Sequence, residues 1–219
     1  MTLIIKDVRL SFLSVFQPHL SEAEKDNNRS PSYKVSFFLD KKDPKDKEKF
    51  KEIQKYVHES WKLSQGKKIS KSNNLPYSDC DKWLEDTYDD DDPEREKYKN
   101  REGKIRVTAK LNESMPAPPF LIRTSEKTFR HLSEEDTHLV YAGAYFDIKV
   151  SSYCYTKGDQ GVSFNLLGGC FSKHGEKINT GEGATGSDFM DSPIITDQDE
   201  KANSEELFNE IDDDEDLPF

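Results

Sequence analysis

Several stretches of this chain alternate apolar and polar residues with a period of two, which commits it to half-buried β-strands. Ser32–Asp40 places Tyr33, Val35, Phe37 and Leu39 on one face and Lys34, Ser36 and Phe38 on the other. Lys104–Leu111 repeats the pattern, with Ile105, Val107, Ala109 and Leu111 facing inward and Lys104, Arg106, Thr108 and Lys110 outward. Leu3–Phe16 is apolar with partial alternation at Val8, Leu10 and Phe12. Leu139–Tyr155 reads as a long strand bent at Gly143; Ala144, Phe146, Ile148 and Val150 share one face, and Tyr145, Lys149, Ser151, Tyr153 and Tyr155 the other. A turn at Lys157–Gln160 leads into a strand over Gly161–Phe171, and Phe120–Arg123 suits a short strand after the prolines at 116, 118 and 119. About five strands of this kind are best satisfied by closing around one core, because closure removes exposed edges. Phe12, Phe37, Phe146 and Phe164 are the aromatic core candidates, since each shares a face with other apolar residues.

One segment has the helical period instead. Asp43 is a suitable N-cap and Pro44 suits the first helical position. Phe50, Ile53, Val57 and Trp61 then form a single apolar stripe, and Gly66 ends the helix. The fold expected is mainly β, a barrel of about five strands with this one helix inserted after the second strand. Lys67–Gly103 reads mostly as loop.

Charge divides the chain into two parts. Residues 188–219 hold thirteen acidic residues against Lys201, a balance of −12, although the whole chain is only −11. Residues 1–187 are therefore near neutral at +1, and a second acidic block at 79–96 carries −8 of that. What remains is a body of +9, and a basic body suits a polyanionic partner. Hydrophobic residues make up 33% and charged residues 34%, too polar for a compact globule of this length. The expected division is a barrel core over 1–187 and a disordered acidic tail over 188–219.

Enzymatic chemistry finds no pattern here. His19, His58, His131, His138 and His174 lack metal or nucleophile spacing, and no Gly-Lys-Ser/Thr follows the glycines at 168–169 or 175–186. Cys80, Cys154 and Cys170 are far apart and odd in number, which suits reduced thiols and no zinc site. No cofactor and no metal is expected. No run of about 18 apolar residues exists, so no membrane partner is expected.

Two further patterns bear on partners. Unpaired nucleic acid is held by rings that stack on bases and by cations along the phosphates. Tyr33, Lys34 and Phe38, then Lys104, Arg106 and Lys110, then Tyr145, Lys149, Tyr153 and Tyr155 supply both. The second pattern is the terminus Asp212, Asp213, Asp214, Glu215, Asp216, Leu217, Pro218 and Phe219, where a ring and an α-carboxylate share the last residue. This ending resembles the tails of bacterial and phage single-stranded DNA-binding proteins, which recruit replication and repair proteins and shield their own DNA groove.

The core resembles a family of tailed-phage single-stranded DNA-binding proteins with an OB-fold. The resemblance is carried by Val8-Arg9-Leu10-Ser11-Phe12 with Phe16, by Tyr33-Lys34-Val35-Ser36-Phe37-Phe38-Leu39, and by the helix ending near Trp61. Val140-Tyr141-Ala142-Gly143-Ala144-Tyr145 and the Lys157-Gly158 turn before Gly161-Val162-Ser163 complete it. It spans roughly residues 3–189 and departs at Asp79–Glu96, where the acidic stretch is longer than the family's pattern. The resemblance implies an OB-fold-like barrel that binds single-stranded DNA with little sequence preference. It implies action in phage DNA replication, recombination and repair, in the cytoplasm of the infected bacterial host. The competing readings are an acidic interaction adaptor and a DNA-mimic inhibitor, neither of which binds DNA.

Overall fold

The structure, a computed structural model, describes residues 1–178 other than 21–24, 26–28 and 71. The expected tail, with Asp212–Phe219, lies outside the described residues.

Eight strands follow one another along the chain: β1 (Thr2–His19), β2 (Ser32–Asp40), β3 (Tyr77–Asp79), β4 (Lys104–Asn112), β5 (Phe120–Arg123), β6 (Phe129–His131), β7 (Tyr145–Tyr155) and β8 (Gly161–Lys173). They form one sheet in the order β3-β4-β2-β1-β7-β8-β5-β6. A parallel pairing of β4 with β8, through Ala109 opposite Phe164 and Lys110 opposite Asn165, closes the five long strands into a barrel. These are the five strands expected from the alternation. The barrel interior is the inward face of each: Val8 and Leu10, Val35, Phe37 and Leu39, Val107 and Ala109, Phe146, Ile148 and Val150, Val162, Phe164 and Leu166 are all buried.

Helix α1 (Pro44–Gln65) closes one side of the core. The Asp43 side chain accepts a hydrogen bond from the Lys45 amide, and Gly66 ends the helix with φ of 65°, a left-handed geometry that glycine adopts without strain. Ile53, Tyr56, Val57 and Trp61 form its buried stripe, while Phe50 is partly buried, edge-on to Tyr77 with ring centroids 5.0 Å apart. The Tyr56 hydroxyl donates to the Met1 carbonyl at 2.8 Å and accepts from the Ser152 amide at 3.2 Å, tying the helix to β1 and β7.

Three sequence expectations are corrected. About half of residues 67–103 is regular structure rather than loop: besides β3 they contain helix α2 (Cys80–Thr87), helix α3 (Pro93–Glu96) and a 3₁₀ turn at Lys99–Arg101. Asp79 and Asp92 cap α2 and α3 with their side chains, so the acidic residues that suggested a solvated loop include the helix starts. The strand expected over Leu139–Tyr155, β7, begins at Tyr145 rather than Leu139. Gly143, with φ of 110°, ends a turn there and passes close beneath the Glu176 carbonyl. Phe12 is not a core residue. The register between β1 and β2 shifts by one between Leu10 and Phe12, where Ser11 turns inward and donates its hydroxyl to the Ser36 carbonyl at 3.1 Å. That bulge rotates Phe12 to the outer face, where it is 39% exposed.

Candidate nucleic-acid interface

The outer face of β2 and β4 gathers five of the residues singled out from the sequence. In the antiparallel ladder Lys34 lies opposite Lys110, Phe38 opposite Arg106, and Asp40 opposite Lys104. Between the first two pairs, Ser36 and Thr108 are opposed and their hydroxyls are 2.9 Å apart. The Lys104 ammonium stands 6.0 Å from the centre of the Phe38 ring. The result is a strip about four residues long, or roughly 13 Å, in which cations and rings share one exposed surface.

Strand β1 adds to this strip. Phe12 pairs with Ser36, and the Lys34 ammonium lies 5.5 Å from the centre of its ring. His19 continues the line with its ring centroid 5.9 Å from that of Phe12.

At the other end, the segment after α1 folds against Phe38. Lys41 holds Asp79 and Asp81 together, and Asp81 also accepts the Gly103 amide at 2.6 Å. The Lys41 ammonium and this amide hold the Asp81 carboxyl below the usual carboxylate range. Cys80 and Leu84 bury one side of α2, which leaves Trp83 beside Tyr88 and Tyr98, at centroid distances of 5.8 and 5.4 Å. The Arg101 guanidinium sits among these rings, 4.4 Å from Tyr98, 5.3 Å from Trp83 and 5.9 Å from Phe38. Burial, and then the neighbouring Arg106, lower its pKa from the usual arginine value.

The remaining expected residues divide. Tyr153 and Tyr155 stack with each other at 6.2 Å and 20° beside the β7–β8 hairpin. They connect to the strip across one strand, because Lys110 pairs with Asn165 of β8, which pairs with Ser151 of β7. Tyr33 alternates with Val35 and packs partly buried against the core, on the opposite face from Lys34. Tyr145 lies about 26 Å along β7 from Tyr153. The Lys173 ammonium stands over its ring at 4.6 Å. Lys149 is exposed on β7 between Ile4 and Gly168.

Phe12, Trp83, Tyr88, Tyr98 and Arg101 were not among the residues expected at an interface. The sequence signal for the last four was present, three aromatics and a cation within 83–101, but it was masked by the surrounding acids. Among the described residues no group of three or more His, Cys, Asp or Glu side chains is placed to hold a metal ion, and no helix is long and apolar enough to cross a membrane.

A closed five-stranded barrel in the order β1-β2-β4-β8-β7, with rings and cations on its outer sheet face, is an OB-fold of the kind that hosts oligonucleotide sites. The chain belongs to the family of the Enterobacter phage Enc34 ssDNA-binding protein, whose family model matches residues 1–206. Among solved structures it is similar to the single-stranded DNA-binding protein from bacteriophage Enc34 in complex with ssDNA, at 18% identity and a TM-score of 0.58, covering 81% of this chain and 89% of that one. It is also similar to a C-terminal truncation of the bacteriophage Enc34 protein, at 19% identity and a TM-score of 0.54, covering 81% and 88%. No protein of curated function matches the chain by sequence.

Proposed function

We propose that this chain binds single-stranded DNA, without catalysis and with little sequence preference, along the outer face of β1, β2 and β4. The observation that carries this reading is the strip in which Phe12, Lys34 with Lys110, and Phe38 with Arg106 alternate rings and cations on one surface. Rings accept the face of any base and cations track phosphates, so affinity arises without base-edge recognition. The bacteriophage Enc34 protein, whose structure in complex with ssDNA shares this fold, supports the choice of ligand. Tyr153 and Tyr155 extend the path across β8, and a strand continuing along β7 would reach Lys149 and Tyr145. Tyr33 supports the strip from the inner face.

In this reading the acidic tail has two roles. Its −12 charge competes with DNA for the basic face, and Asp212–Asp216 steer partner proteins whose pocket receives Phe219, with Leu217 and Pro218 shaping the approach. The partners are proteins of phage DNA replication, recombination and repair, met in the cytoplasm of the infected host.

The test is a fluorescence-anisotropy titration of labelled oligothymidylate across a salt series, with duplex DNA as competitor. With about four phosphates neutralised, log K falls against log salt with a slope of about −3. An absence of binding at low salt, or equal preference for duplex, overturns the proposal.

A further inference from the structure

Trp83, Tyr88 and Tyr98 form a cluster of half-exposed rings at the Phe38 end of the strip, and nothing in their own packing requires so many aromatics on an exposed helix flank. Burial of α2 is already achieved by Cys80 and Leu84. Arg101 joins the cluster to the strip, since its guanidinium faces Tyr98, Trp83 and Phe38 at once. The rings stand in an acidic stretch, with Glu85 and Asp86 on α2 and four aspartates at 89–92. These acids repel phosphates but not the uncharged face of a base.

We infer that the Trp83–Tyr88–Tyr98 cluster is a stacking subsite for one unpaired base at the end of the DNA path. The backbone is held on the Arg101, Arg106 and Lys104 side, and the carboxylates of the acidic stretch stop it from running further along α2. The acidic block therefore ends the path rather than obstructing it. This inference rests on the single-stranded DNA-binding reading and adds a terminal base site to it.

Tryptophan emission provides the test, because the chain has only two tryptophans and Trp61 is 1% exposed inside the core. Full-length protein is titrated with unlabelled oligothymidylate while emission is recorded, and in parallel with labelled oligothymidylate by anisotropy. The expected result is quenching on binding that disappears in Trp83→Phe, with affinity within about threefold because a ring is retained. Trp83→Leu should bind about 5- to 100-fold more weakly with an unchanged thermal melt, in the range for loss of one stacked base. Binding by anisotropy with no change in emission, and equal affinity for wild type and Trp83→Leu, overturns the subsite while leaving DNA binding intact. Should Trp83→Leu melt early, the emission of the wild-type protein and of Trp83→Phe decides the matter alone. No anisotropy change with any protein overturns the DNA-binding reading, and the subsite with it.

Discussion

Lys34 of β2 lies directly opposite Lys110 of β4, so two ammonium-bearing side chains are placed side by side on the outer face of the barrel. Like charges opposed in a ladder are destabilising by a few tenths of a kcal/mol, and an interposed phosphate reverses the sign. Lys34→Gln and Lys110→Gln are each expected to weaken oligonucleotide binding and to make the slope of log K against log salt shallower by about 0.7. Anisotropy titrations at four or more salt concentrations measure this. Unaltered slopes in both variants would place the phosphates elsewhere.

Phe37 and Phe38 are adjacent in sequence and opposite in role. Phe37 is fully buried, and Phe37→Ala should cost about 3–5 kcal/mol of folding stability. Phe38 lies on the outer face beside Lys104 and Arg101, so Phe38→Ala should cost about 1–3 kcal/mol of DNA-binding energy and leave the urea midpoint almost unmoved. Urea denaturation and anisotropy on the same two variants separate the effects, and the converse pattern would invert the assignment of faces.

Asp136 is clasped by Arg130 through two hydrogen bonds, at 2.7 and 2.9 Å, and by the Ser133 amide at 2.9 Å. This holds the Asp136 carboxyl well below the usual carboxylate range. A depressed folded pKa contributes stability above the unfolded carboxylate value, near 4, and that stability is lost as pH falls through and below it. Asp136→Asn should therefore be less stable than wild type at pH 7, with the difference narrowing below about pH 4. Denaturation at pH 7 and at pH 3 checks the sign, and a constant difference would refute it.

Gly143 holds φ of 110°, and a β-carbon there would overlap the Glu176 carbonyl oxygen. Gly143→Ala should destabilise the protein by at least about 1–3 kcal/mol through backbone strain alone. It should also loosen the segment after β8, whose Ile178 amide donates to the Ala142 carbonyl. Thermal melting, together with hydrogen exchange at Ile178, provides the readout; a melt equal to wild type would mean that the turn relaxes freely.

A tail carrying −12 on the same chain as a basic core is expected to compete with DNA at low ionic strength. Truncation before Asp188 should tighten oligonucleotide binding at low salt, with the gain shrinking as salt rises. Deleting Phe219 alone should leave DNA affinity nearly unchanged and abolish capture of replication partners from infected lysate. Equal affinity of full-length and truncated protein at low salt would exclude autoinhibition.

The chain itself encoded the strands of the barrel, helix α1 with its caps, and the two faces of β2 and β4. Period-two and period-3.6 patterns are local, and the inward side of each element is written in residues two or four positions apart. Two features of the candidate interface needed the tertiary structure. Phe12 follows Leu10 by two residues and reads as a core position, but the bulge at Ser11 exists only relative to β2, and one extra residue reverses the face of everything beyond it. Trp83, Tyr88 and Tyr98 stand in an acidic segment far along the chain from Phe38. Arg101 links them to it, because Lys41 and the Gly103 amide bind Asp79 and Asp81 and draw α2 onto the edge of the sheet. Alternation along one strand specifies what that strand buries; which exposed groups become neighbours depends on register and on long-range clasps between segments.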